Sequence, residues 1–146
     1  MNVRRIIDTN ANFEHLMDMT NFFLNYSISK GCVPGKVESW TCICDMANVG
    51  ATQIPKDKVQ GIVKMMSKNY RGRLFRFYAT DVTFFVRTLW KFVHRFVDEF
   101  TNRKLLIFGD DYKPTLHKQV DLTSLEVKYG GKIPNLTQDF FPPRYT

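Results

Sequence analysis

Apolar positions along the chain fall into blocks whose spacing changes from one block to the next. Phe13, Leu16, Met17, Phe23, Leu24 and Ile28 recur at three- and four-residue steps, which predicts a helix over Phe13 to Lys30. Asn10 or Asn12 can cap its start, and Gly31 is a natural stop. Pro34-Gly35 then turns the chain. "SWTCIC" is a short, β-rich apolar run, read as a buried strand ending at Asp45. Pro55 opens a second helix with Val59, Ile62, Val63 and Met66 on one side. Leu74 to Thr80 reads as a strand, Phe84 to Asp98 as a third helix, and "KLLIFG" as a further strand. "PTLHKQV" is a short helix, because Pro114 suits a first turn. From Gly130 to Thr146 the chain is expected to lie extended.

Helix and strand alternate through this order. Alternation implies crossover connections and an α/β fold, a mainly parallel sheet covered by helices. The 146 residues fit one domain, taken as 1–134 with an extended proline-bearing tail over 135–146. Hydrophobic residues make up 44% of the chain, enough for a core and too many for disorder.

Charge changes the picture of partners. Lysines and arginines outnumber acids by 21 to 14, a net +7, so anionic partners are favoured: nucleic acid, an acidic lipid surface or an acidic protein. The stretch "NYRGRLFRFY" sharpens that choice. Arg71-Gly72, Phe75 and Tyr78 match part of the RNA-recognition strand that stacks bases on exposed rings. Arg73, Leu74 and Arg76 break the match. The architecture breaks it too, since a long helix comes where that fold has another strand. Nucleic acid is therefore the disfavoured partner. Cys32, Cys42 and Cys44 read as free thiols in or near apolar runs, with no second pair at zinc spacing. No segment approaches the roughly 20 apolar residues of a membrane span, and "MNVRRIIDTN" lacks the apolar run of a secretory signal.

The unusual element is "FFVRTLWKFVHRFVDEF". On a helical period Phe85, Leu89, Phe92 and Phe96 form one stripe, and Val86, Trp90, Val93 and Val97 the adjoining one. Arg87, Lys91 and Arg95 lie on the opposite side. This arc is wider than packing on one sheet needs. It fits a helix buried on two sides, by the sheet and a neighbour or partner subunit. It also fits, as the less favoured reading of the pattern alone, an interfacial helix whose rings enter lipid while its cations meet phosphates. Catalytic patterns are missing. His15, His94 and His117 lie far apart, and neither a nucleophile elbow nor a phosphate-binding loop occurs. Asp110-Asp111 comes after a strand and Gly109, where a solvated turn explains it.

Four stretches taken together carry a resemblance. "PGKVESWTCICDMANVG", "NYRGRLFRFYATD", "LWKFVHRFVDEFTNRKLLIFG" and "SLEVKYGG" occur in the order seen in CRAL-TRIO lipid-binding domains of the phosphatidylinositol/phosphatidylcholine transfer type. The similarity is close from Val33 to Pro134 and extends over residues 4–32. It implies a sheet roofed by a gate-like helix, Phe84 to Val97, over an apolar cleft that holds a phospholipid or other hydrophobic ligand and no other cofactor. Phe85, Leu89, Trp90, Phe92, Val93 and Phe96 would line that cleft. Arg87, Lys91 and Arg95 would form a basic edge facing the membrane. The resemblance also implies that Thr101 and Lys104 meet the head-group phosphate, with Arg71 and Arg73 nearby. Gly72 stands where the family has an acid that contacts inositol, and Glu126 where it has a proline. The chain opens almost at the Phe13 helix, so it resembles a domain truncated at its N-terminal side. The expected function is non-catalytic lipid binding or transfer at a membrane surface, in a cytoplasmic or peripheral-membrane location. The alternative is a structural subunit that reuses the fold among other protein subunits, for example in a mitochondrial assembly.

Overall fold

The computed structural model describes residues 1–10, 12–54 and 56–138, with backbone alone at 51, 56, 93 and 96. It divides into two compact units, Met1–Gly109 and Asp110–Thr146.

The first unit opens with α1 (Val3–Asp8), whose start is capped by Asn2: its side-chain oxygen accepts from the Arg5 amide at 3.0 Å. Helix α2 (Phe13–Gly31) is capped the same way by Asn12, which accepts from the His15 amide at 2.8 Å. Strand β1 (Trp40–Asp45) leads into α3 (Lys56–Asn69), and β2 (Leu74–Thr80) into α4 (Phe84–Val93). A 3-10 turn (His94–Phe96), α5 (Glu99–Asn102) and β3 (Leu105–Ile107) come next. The strands form one sheet in the order β1-β2-β3, and both pairs are parallel. Parallel neighbours need crossover connections. Here α3 and α4 supply them.

Register fixes which side chains share a face, because successive residues alternate sides. Cys44 pairs with Ala79, and Ala79 with Ile107. Cys44 and Ala79 are buried together with Met46, Val49, Val82 and Val86. Val3, Ile7, Ile54, Phe77 and Ile107 pack around that cluster. Helices α1 and α4 thus meet the same side of the sheet. Helices α2 and α3 meet each other. The Phe13 ring lies over Gly61, where an added Cβ would come within 2.4 Å of Cζ. The Tyr70 hydroxyl donates to Asn21 Oδ1 at 2.9 Å, and the Tyr70 ring stands edge-on to Trp40, with centroids 6.0 Å apart.

The expected α/β class and parallel sheet are therefore present, and β2 begins and ends where the sequence placed it. The third helix is shorter than expected. It leaves α-geometry after Val93, and Asp98 lies extended as the cap of α5. Of the two aromatic positions matched to the RNA-recognition motif, Tyr78 serves the core instead, 0% exposed on the central strand, while Phe75 is exposed.

In the second unit α6 (Lys113–His117) has Pro114 in its first turn. Tyr112, Leu116, Leu125 and Tyr129 are buried. His117 Nε2 lies 2.8 Å from the Tyr129 carbonyl. Of the expected extended tail, 139–146 falls outside the described residues. Before it, Leu136 donates its amide to Glu126 Oε2 at 3.3 Å.

Candidate functional site: the aromatic helix and the basic end of the sheet

Helix α4 is divided along its length. Val86 and Leu89 are buried, Trp90 is half-buried, and Val97 beyond the helix is buried again. Phe84 and Phe85 are 77% and 71% exposed, and Phe92 is 55% exposed. Arg87, Thr88, Lys91 and Arg95 share that outward side. The rings are not isolated from the cations: Arg95 Cζ lies 5.8 Å from the Phe92 ring centre, and Phe84 and Phe85 meet edge to face. Of the stripe residues read from the sequence, Leu89 and Trp90 face inward, while Phe85 and Phe92 face outward. The side chains of Val93 and Phe96 fall outside the described residues.

The second part of the site lies where the strands begin. The turn Tyr70–Arg73 reaches β2 through Gly72, whose φ of +81° favours glycine and whose missing Cβ would meet nothing within 4 Å. Arg73 donates from Nη1 to the Glu38 carbonyl at 3.0 Å. Lys104 Nζ donates to the Leu74 carbonyl at 2.6 Å and lies 4.3 Å from the centre of the exposed Phe100 ring. Thr101 donates its hydroxyl to Asp98 Oδ2 at 2.7 Å and its amide to Oδ1 at 2.9 Å. These bonds from Thr101 hold the Asp98 carboxyl below the usual carboxylate range, and the Arg71 guanidinium adds to the effect. The fold thus brings the Arg71–Arg73 turn and the Thr101–Lys104 segment together at the end of the sheet where β2 and β3 begin. Lys104 and Thr101 are both engaged within the protein there.

The sequence reading missed Val3 and Ile7 beneath the sheet cluster and the exposure of Phe75 and Phe100. The first had a local signal: Asn2 as a cap, then Val3, Ile6 and Ile7 at helical spacing. Among the described residues no group of three or more His, Cys, Asp or Glu is placed to hold a metal ion, and no helix is long and apolar enough to cross a membrane.

A parallel sheet covered by helices, one of them with a buried and an exposed apolar side, defines the class, an α/β domain. Residues 1–131 match the CRAL/TRIO domain, and the chain belongs to that family. It is 34% identical over 73 residues to a CRAL-TRIO domain-containing protein of Saccharomyces cerevisiae, which covers 50% of this chain and 24% of the relative. It is 29% identical over 100 residues to the SEC14 cytosolic factor of Yarrowia lipolytica, over 66% of this chain and 20% of that protein. It is 28% identical over 98 residues to a phosphatidylinositol/phosphatidylcholine transfer protein of Arabidopsis thaliana, over 65% and 18%. The chain thus spans a quarter or less of these relatives. A crystal structure of Sfh5 shares the fold, with a TM-score of 0.55 at 22% identity over 65% of this chain and 33% of the other.

Proposed function

We propose that this domain binds a phospholipid or another hydrophobic ligand against the sheet face beneath α4, and meets membranes through the outward side of that helix. One observation carries the reading: α4 buries Val86 and Leu89, with Val86 in the sheet cluster, and leaves Phe84, Phe85 and Phe92 exposed on the side that also carries Lys91, with Arg95 over the Phe92 ring. A helix that only covered a core would not need the second apolar side. Rings beside cations suit the boundary between acyl chains and anionic head groups. The transfer-protein relative supports a phospholipid as ligand. Arg71 and Arg73, with Thr101 and Lys104 once released from Asp98 and Leu74, are the groups chemically suited to its phosphate.

The test is direct. The purified chain is extracted and its lipids identified by mass spectrometry, beside Trp90→Ala. Phospholipid is expected with the wild type and less of it with the variant. A chain that carries none, and takes up none from phosphatidylcholine vesicles, overturns the reading. The exposed phenylalanines also fit burial against other subunits of a particle. Native mass from cell extract distinguishes the two, since a free monomer favours exchange and a large stable particle favours the scaffold.

A further inference from the structure

We infer that α1 is a displaceable plug: it covers part of the sheet face on which a ligand under α4 would lie, and loading drives it off. This rests on the lipid-binding reading above and adds its regulation. The observation is a shared floor. Val86 of α4 belongs to the cluster of Cys44, Met46, Val49, Ala79 and Val82. Val3 and Ile7 of α1, one turn apart, pack against that same cluster. Val3 and Ile7 therefore occupy part of the surface that an acyl chain beneath α4 would use.

Within the helix itself the hold on α1 is slight. It has six residues and none of them is buried. Helices this short do not stand alone in water. Its Arg4–Asp8 pair, at 3.0 Å, is exposed on both sides and adds little. The anchor lies before the helix, where Met1 donates its amino group to the Ile43 carbonyl at 2.8 Å, Asp45 donates its amide to the Met1 carbonyl at 2.8 Å and Asn2 Nδ2 donates to Asp45 Oδ2 at 3.2 Å, all along β1. After it, Asn10 takes a φ of +47°, and α2 starts afresh with its own cap at Asn12. The helix can therefore leave without unravelling its successor. The exchange is like for like: methylenes of the ligand replace the Val3 and Ile7 side chains on one apolar surface.

A plug and a fixed wall give opposite signs. Amide hydrogen exchange is followed in the intact chain, with and without phosphatidylcholine vesicles carrying pyrene-labelled phosphatidylcholine, whose fluorescence reports uptake. The plug predicts faster exchange over residues 3–8 in the loaded chain, and uptake about threefold tighter or more in Ile7→Arg, because the competent fraction rises. Uptake by Ile7→Arg alone supports it also. Unchanged or slower exchange in a chain that has taken up lipid overturns the plug and leaves lipid binding standing. Uptake by neither form ends both. Should Ile7→Arg fail to fold, the exchange result on the wild type decides.

Discussion

Cys44 shows how far a single position was readable. Its place in an apolar run marked it as a buried free thiol, and it is buried, with Sγ 3.8 Å from Met46 Sδ. Burial and then the neighbouring Cys42 push its thiol up to about 12, and burial also raises Cys42. Thiolate is the reactive form. Iodoacetamide at about pH 8 is therefore expected to label Cys32 in the folded protein and to spare Cys42 and Cys44 until denaturant is added. Peptide mass spectrometry reads this, and native labelling of Cys44 would contradict the packing around it. Gly131 was legible only through resemblance, as part of a Tyr-Gly-Gly motif. The structure supplies its reason. A Cβ there would lie 2.0 Å from the Leu125 carbonyl oxygen, which the Ile133 amide already uses. Gly131→Ala must move backbone, so a loss of about 2 kcal/mol is expected from urea unfolding. No periodicity announces such a contact, because it joins positions whose closeness is made by the turn between them.

Elements were read better than their ends. Helix α4 begins at Phe84 as expected but does not run to Asp98. Helical spacing continues through that stretch, yet Asp98 caps the start of α5, and a cap needs extended backbone. The capping preference wins, and the chain crosses from one helix to the next through the 3-10 turn at His94. Helix α1 was missed although Asn2, Val3, Ile6 and Ile7 carried a local signal: six residues make fewer than two turns, and its packing partners lie far away in sequence. The two stripes of α4 were visible as a wide arc, but a period cannot say which half faces the sheet. Val86 and Leu89 identify that half. Leu89→Ala is accordingly expected to cost about 2–4 kcal/mol in denaturant unfolding. Phe85→Ala is expected to stay within about 0.5 kcal/mol of wild type, since the ring is exposed. Equal losses would mean that the helix is turned differently about its axis.

At the scale of the whole molecule, the alternation of elements sufficed for a parallel sheet, and net charge sufficed to favour an anionic partner. Neither tells whether charge or apolar area dominates at a membrane, and magnitudes decide that. Each Lys or Arg near an anionic surface is worth about 1 kcal/mol, screened over a Debye length of about 8 Å at physiological salt. Fully burying a phenylalanine ring is worth about 1.5–3 kcal/mol and is not screened. Lys91 and Arg95 together should therefore contribute about 2 kcal/mol at low salt and little at high salt. Phe84 and Phe85 should contribute at least as much throughout. On vesicles of phosphatidylcholine with phosphatidylserine, a double Lys91→Glu, Arg95→Glu variant is expected to bind weakly at low salt and to converge on the wild type as salt rises. A double Phe84→Ser, Phe85→Ser variant is expected to lose about tenfold or more at every salt concentration. Co-sedimentation across a salt series measures both. If salt alone releases the wild type completely, or if the serine variant sediments as the wild type does, the outward rings of α4 are not what holds this domain to a bilayer.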